Sequence, residues 1–372
     1  MSTVYVKRAA YHYPSLKRQL FEVMEQMGGA SIERGCRVLI KPNLLGPAPP
    51  SRAMITHPLV VRGLVEYVLD RGGKVQVSDS PAMGTIEKVL KEGGILEALE
   101  GLEVTIKEFK ESMTVEVGEP FRQLEIARDA LDADVLINLP KLKTHTQMLL
   151  TLAVKNSFGC IVGLRKPQWH LRAGVDRELF AALLVRICQA VKPQFTVLDG
   201  ILAMEGEGPG KGGQPKQLGI LLASTDAVAL DAVVCHLLGI PEDALPTNRV
   251  ARRWGLLSET VTTVGDSWQV PALKLPSATS LVFGPSFLHP FMRKHLIQRP
   301  EVDPTLCRGC GDCQRYCPAQ AISVGQKKQL AFDYDRCVRC YCCLEVCPHG
   351  ALKTRQPVAG RLFTQVIDWT SR

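Results

Sequence analysis

The sequence predicts an α/β protein built on a mostly parallel sheet with flanking helices, followed by a small cysteine-rich α+β domain. Three observations predict it. Through residues 1–270, short β-branched runs alternate with amphipathic stretches, the pattern of parallel strands joined by helical crossovers. Nine of the 13 cysteines fall between Cys307 and Cys347, which separates a C-terminal unit from what precedes it. The chain's 372 residues, 46% apolar and 22% charged, are enough to bury a full core without disulfides.

Taken in order, the expected strands are Val4 to Lys7, Arg37 to Lys41, Lys74 to Val77, Val104 to Phe109, Val135 to Leu139, Phe195 to Leu198 and Leu218 to Leu222. Helical stretches lie between most of them. Leu16 to Met27 stops at Gly28 and Gly29, and Leu59 to Asp70 stops at Gly72 and Gly73, where glycine accepts the left-handed turn that ends a helix. Asp176 caps a helix that stops before Pro193, and Asp226 begins one that ends at Gly239. His236, on an apolar helix, reads as a core residue.

Several function classes are excluded at this level. No window offers the roughly 18 uncharged apolar residues of a membrane span; Leu218 to Ile240 is interrupted by Asp226, Asp231 and His236. Met1 to Leu20 spreads Lys7, Arg8, Lys17 and Arg18 with no apolar segment between them, unlike a secretory signal. The expectation is a cytoplasmic protein without a membrane span. No HExxH or GxSxG occurs, so zinc proteolysis and serine hydrolysis have no support.

Cys307, Cys310, Cys313 and Cys317 are spaced C-x2-C-x2-C-x3-C before Pro318, and Cys337, Cys340, Cys343 and Cys347 repeat that spacing before Pro348. Both runs match the bacterial ferredoxin signature, in which three closely spaced thiolates wrap one cubane cluster and the fourth cysteine of each run ligates the other. The expectation is two 4Fe-4S clusters in a ferredoxin-like fold, one on Cys307, Cys310, Cys313 and Cys347, the other on Cys337, Cys340, Cys343 and Cys317. Zinc sites favour CxxC pairs with a longer spacer and fit this array poorly. Cys342 breaks the register and reads as a free thiol near a cluster. Ala321 to Val324 and Leu330 to Phe332 read as short strands joined by a turn at Gly325 to Lys328. The formal net charge of +8 falls to roughly +4 if each cluster with its thiolates carries about −2, so nucleic acid is not an expected partner.

Open α/β sheets bind ligands beyond the carboxyl ends of their strands. Strand two runs into Lys41, Pro42 and Asn43; strand three into Ser78, Asp79 and Ser80; the Val135 strand into Asn138, Lys141, Lys143, Thr144 and His145; the Phe195 strand into Asp199. Between Val135 and Val175 there is no Asp or Glu, while Lys141, Lys143, Lys155, Arg165, Lys166 and Arg172 are present. An anion is the natural partner of such a cleft, held by the Lys141–His145 loop and by the N-terminus of a helix near Gln147. A solvated basic loop is the plainer alternative. The Gly-rich stretch 206–213 lacks the spacing of a phosphate loop and reads as a flap with Glu205 and Glu207 at its base. Pro271 to Pro300 reads as a linker carrying an apolar-basic patch from Phe287 to Arg299.

With KPN at Lys41 to Asn43, NLPKLKTH at Asn138 to His145, VKNSFG at Val154 to Gly159, MEGEGP at Met204 to Pro209 and the cysteine module, the chain resembles the family called "domain of unknown function 362" over essentially its whole length. The resemblance implies an iron-sulfur protein and supplies no reaction. It marks Lys41, Asn43, Lys141, Lys143, His145, Lys155, Asn156, Glu205 and Asp231. The expected organisation is an α/β domain over 1–270, a linker over 271–300, a two-cluster domain over 301–356 and a tail over 357–372. The expected function is a redox enzyme whose clusters pass electrons from a soluble donor protein to an anionic small molecule. Lys41, Lys141 and Lys143 would hold the anion with Asn43, Asn138, Thr144, Lys155, Asn156 and Glu205, and His145, Lys143, Asp79 and Asp199 would serve the chemistry. The alternative is a non-catalytic electron carrier or adaptor.

Overall fold

The computed structural model describes every residue except 164, 268, 278–284, 326–328 and 363–372. In chain order the strands are β1 (Ser2–Arg8), β2 (Arg37–Pro42), β3 (Lys74–Val77), β4 (Val104–Ile106), β5 (Ser112–Gly118), β6 (Arg122–Ala127), β7 (Val135–Leu139), β8 (Lys141–His145), β9 (Leu149–Thr151), β10 (Phe195–Gly206), β11 (Gly213–Ser224) and β12 (Val261–Gly265). The main sheet has the order β12-β1-β11-β10-β7-β2-β3-β4, with β8 and β9 branching off β10. Neighbours from β10 through β4 are parallel, and β11 is antiparallel to both β10 and β1.

The sheet is buried on both faces, so its central strands read as apolar runs and not as alternations. Ile40, Ile137, Val197 and Leu221 pack with Leu16, Leu20, Val60 and Leu64 of the helices Tyr13–Gln26 and Pro58–Asp70. Leu39, Leu136, Leu198 and Leu222 face the other way, against Phe180, Leu184 and Leu230 of the helices Arg177–Val191 and Ala227–Leu237. Asp176 and Asp226 cap these last two through side-chain oxygens that accept from Leu179 N and from Val228 and Ala229 N, satisfying donors that a helix start leaves orphaned.

The C-terminal module adds β13 (Arg299–Val302), β14 (Ile322–Val324), β15 (Leu330–Phe332) and β16 (Leu352–Arg355), paired β13–β16 and β14–β15. Its internal duplication is visible in the backbone. Cys307 N donates to Asp303 O at 3.1 Å and Cys337 N to Asp333 O at 3.0 Å; Ala321 N and Ala351 N each donate to a cysteine sulfur, Cys317 and Cys347, at 3.3 Å. Most of the turn expected at Gly325 to Lys328 lies outside the described residues.

Several expectations need correction. Residues 141–145 are a buried strand, because each charged side chain on one face finds a distant partner. No helix begins near Gln147; β9 follows, and Lys155 and Asn156 lie in the short helix Ala153–Asn156. Asp231 accepts Ala153 N at 2.8 Å and Val154 N at 3.1 Å, capping that helix. Burial pushes the Asp231 carboxyl up to about 8. His236 is exposed at the helix end, not in the core. The strand begun at Val104 stops at Ile106.

The Gly-rich stretch is no free flap. It closes the β10–β11 hairpin and abuts the C-terminal module: a side chain at Gly210 would meet the Glu345 and Leu344 carbonyls at 2.8 and 3.1 Å. Glu207 accepts from Ser277 and Thr354, and Glu205 accepts Lys274 N at 3.0 Å. The G-x-G-x-x-G spacing within 208–213 sits in a hairpin with no helix after it, unlike a dinucleotide-binding turn.

Candidate active site between the sheet and the cysteine module

Cys307, Cys310, Cys313 and Cys347 surround one cavity, together with Gly309, Gly311 and Pro348. Burial and the neighbouring thiols of Cys347, Cys310 and Cys307 push Cys313 up to about 11. Burial likewise raises Cys343, with the thiols of Cys340 and Cys337 and then of Cys313 and Cys317 adding to it; Cys317 is raised by burial, with Cys340 and Cys337 the thiols acting on it. Each run's last cysteine therefore stands with the other run's first three. Among the described residues no His, Cys, Asp or Glu trio is placed for a single metal ion, whereas four thiols around a shared void, with backbone N–H groups on their sulfurs, suit a cubane. The residues present fit the iron-sulfur group.

A second cavity lies where the module meets the α/β domain. Lys41, Asn43, Asp79, Ser80, Thr151, Lys155, Asn156, Lys166 and His170 line it from the sheet side, and Tyr316, Cys342, Glu345 and Val346 from the module. The cavity has a volume of about 100 Å³, room for a ligand of only a few heavy atoms.

The parts come together through the sheet. Parallel β2 and β3 end beside each other and deliver Lys41 and Asp79, whose Nζ and Oδ1 are 3.0 Å apart and buried. Gly159 is required here: a Cβ would lie 2.1 Å from Asp79 Oδ1 and 2.6 Å from Lys41 Nζ. Lys166 donates to Ser80 O and Oγ, both at 2.7 Å, and burial lowers it to about 8. Asn156 is held by Asn138 Oδ1 at 2.8 Å and in turn accepts from Asn43 Nδ2 at 2.8 Å.

Alternate residues of β8 point to one face, and each is matched. Lys141 Nζ lies 2.7 Å from Asp199 Oδ2, which with Tyr11 and His57 N forms a closed cluster away from the cavity. Lys143 donates to Asn43 Oδ1 at 2.8 Å and Met54 O at 2.7 Å; burial, with Lys155 adding repulsion, holds it far below the usual lysine range. His145 Nδ1 accepts from Gln147 N and Met148 N at 3.1 and 3.2 Å, so Nε2 carries the proton. Nε2 stands 3.0 Å from Glu345 Oε1 without hydrogen-bond alignment. Burial opposes ionisation of Glu345, but His145 and Lys155 outweigh it and hold the carboxyl at about 2.

Of the residues expected from the sequence, the cavity gathers Lys41, Asn43, Asp79, Lys155 and Asn156. Lys143, His145 and Asn138 sit behind it, touching lining residues. Lys141, Asp199, Thr144 and Glu205 are not part of the lining: the first two neutralise each other, Thr144 Oγ1 donates to Met204 O, and Glu205 serves the hairpin end. Thr151, His170, Tyr316 and Glu345 carried no local sequence signal. Cys342, off register in a cysteine run, did.

The buried histidines set an acid limit. Burial lowers His145 and His57 to about 4 and His170 to about 3. An unfolded chain protonates them near 6.5, so between about 6.5 and 4 the unfolded state binds more protons and is favoured. Stability is expected to be full above about pH 6.5 and to fall as pH drops toward 4. Urea midpoints measured across that range check it; a flat profile counts against neutral histidines in the fold.

The family model "Domain of unknown function (DUF362)" matches residues 38–236, and the model "4Fe-4S dicluster domain" matches residues 306–351. A thylakoid-associated protein of Synechocystis sp. is 37% identical over 302 residues, 77% of this chain and 94% of that protein. A pyruvate synthase subunit PorD of Methanocaldococcus jannaschii is 35% identical over 54 residues, 14% of this chain and 63% of its own length. Among solved structures, the lactate racemase apoprotein of Thermoanaerobacterium thermosaccharolyticum aligns at 10% identity and TM-score 0.41, over 64% of this chain and 57% of that one. No helix among the described residues is long and apolar enough to cross a membrane.

Proposed function

Since the chain belongs to the family of the domain of unknown function 362 and carries an iron-sulfur module, we propose that it is a redox enzyme acting on an anionic small molecule in the cavity between its two parts. The observation that carries this reading is the mixed lining: Cys342 and Glu345, flanking the ring ligand Cys343, share a wall with Lys41, Lys155, Lys166 and His170. Two 4Fe-4S clusters, on Cys307, Cys310, Cys313 and Cys347 and on Cys337, Cys340, Cys343 and Cys317, would supply electrons singly.

The chain's own residues divide the remaining work. Each ring has two buried cysteines, but only the first has an exposed one, Cys310, while Tyr316 and Cys342, the chain neighbours of Cys317 and Cys343, line the cavity. This supports electron entry from a soluble partner at the first ring and delivery from the second. The cavity lysines balance an anion's charge, and the burial of Lys41 and Lys166 strengthens such contacts. Lys166, lowered to about 8, can give a proton to a reduced ligand near neutral pH. Glu345 and His145 tie the module to β8 and fix the wall. A reducing cytoplasm would keep the thiols competent.

The test uses anaerobic, cluster-loaded, prereduced protein mixed with small organic anions. The reading expects at least one anion to reoxidise the clusters, and Lys166→Met to slow this about tenfold or more, as loss of a charged hydrogen bond does. If none does, while a partner protein still exchanges electrons, the chain is a carrier and not an enzyme.

A further inference from the structure

The cavity's two ends differ. At one end every polar group already has a partner: Lys41 has Asp79, Lys166 has Ser80, Asn43 has Asn156 and Lys143. At the other end Thr151 Oγ1 and His170 Nδ1 are buried without any hydrogen-bond partner, and Glu345 Oε1 has beside it only the poorly aligned His145 Nε2 at 3.0 Å. Thr151 is 3% and His170 4% exposed. Lys155 adjoins them: Glu345 and Cys342 act on its charge, and Lys155 in turn acts on Lys143, His145 and His170. Lys41, Lys141, Lys143 and Lys166 each donate to a named oxygen, whereas Lys155 lies over the Phe158 ring at 6.0 Å and makes no ion pair or hydrogen bond among the described residues.

Buried polar atoms are nearly always satisfied, and each one left open costs about 1–3 kcal/mol. Several open atoms converging on one void describe what is to fill it. An ammonium needs an acceptor and favours an oxyanion. A carboxylate oxygen accepts only, so it needs a donor. Thr151 can serve either way, and His170 Nδ1 takes a donor or an acceptor according to its tautomer. Apolar contact comes from Phe158 and Val346 on the same lining.

We propose that Lys155, Glu345, His170 and Thr151 form the recognition end of the cavity and that its ligand is a hydroxylated organic anion, with an oxyanion on Lys155 and a neighbouring hydroxyl donating to Glu345. This rests on the cavity being the ligand site of the proposed function and names the class of ligand there. A plain carboxylate gives Glu345 no donor, and a neutral polyol gives Lys155 an acceptor but no countercharge. The combination supplies both.

The test is equilibrium binding to the cluster-loaded protein, followed by the line-broadening of probe NMR signals, with three matched probes: glycerate, propionate and glycerol. Glycerate is expected to bind about tenfold or more tightly than either, since each lost partner strands a buried group. Lys155→Met should weaken glycerate about tenfold, and Lys155→Arg should restore part of it. Glu345→Gln should reduce the preference for glycerate over propionate, with cluster absorbance confirming that the module is intact. Equal binding of glycerate and propionate, or unaltered binding by Lys155→Met, overturns the assignment. Borohydride trapping of a carbonyl probe on Lys155 would also overturn it, because that lysine would then be a nucleophile and not an anion anchor. Binding is read without electron transfer, so selective binding with no reoxidation contradicts the redox reading alone, and reoxidation without this selectivity contradicts the ligand class alone.

Discussion

Cys317→Ala is expected to remove about half of the iron and acid-labile sulfide, and to remove it from the ring of Cys337, Cys340 and Cys343. The sequence neighbours of Cys317 are Cys313 and Cys310, yet after burial and the Ala321 and Ala319 amides the thiols that act on it are those of Cys340 and Cys337. Cys347 likewise stands among Cys307, Cys310 and Cys313. The variant keeps the solvent-facing ring complete and strips one corner from the ring beside the cavity. Electron paramagnetic resonance of the reduced protein, with iron analysis, checks this: one cluster's signal should persist without the coupling of a pair. Full iron content, or loss of both clusters with a folded α/β domain, would count against the crossed arrangement. Because small metal modules are held together largely by their metal, the module's thermal stability should fall as well.

Asp199→Ala is expected to destabilise the α/β domain by about 3–5 kcal/mol, the usual result of leaving one member of a buried ion pair alone. Asp199 is fully buried and accepts from Lys141 Nζ at 2.7 Å, Tyr11 Oη at 2.7 Å and His57 N at 2.9 Å. Its removal strands Lys141, and burial already lowers that lysine from its ordinary range. Tyr11 stacks on His57 with ring centroids 3.5 Å apart, so the loss also loosens the entry to the helix Pro58–Asp70. Urea unfolding of wild type and variant measures the effect. A change below about 1 kcal/mol would show that the cluster is solvated in practice. Where the variant remains folded, ligand binding should be retained, since neither Asp199 nor Lys141 lines the cavity.

That pair also shows where sequence reading stops. Strands β2 and β7 were legible because a strand buried on both faces is an apolar run, and β3 because Val75 and Val77 alternate with polar residues. The helices after Asp176 and Asp226 were legible because a cap is a local device. The cysteine runs were legible because cluster ligation imposes a short, fixed spacing. Residues 141–145 read as a basic loop for the opposite reason. Lys141 is made tolerable in a core by Asp199 and His145 is flanked by Glu345, and no local pattern announces a partner so distant in the chain.

The same holds for the cavity. Lys41 and Asp79 could be placed together because both stand at the ends of parallel strands, where open sheets present polar groups. Glu345 looked like an ordinary residue between two cluster cysteines. Its role emerges only once the Gly-rich hairpin end seats the module, with Gly210 against the Glu345 carbonyl. Glycine there spares the contact, and the stretch that resembled a flap is a docking surface within the chain.

The most direct test of the whole account follows electrons to the cavity. Wild-type and Cys317→Ala proteins are reduced anaerobically and given the same cavity anion, and loss of the reduced-cluster signal is timed by rapid-freeze electron paramagnetic resonance. The account predicts that the anion reoxidises the wild type, and that Cys317→Ala binds it with unchanged affinity but stays reduced on its remaining solvent-facing cluster. Reoxidation of the variant at the wild-type rate would contradict it, because electrons would then reach the ligand without the inward ring.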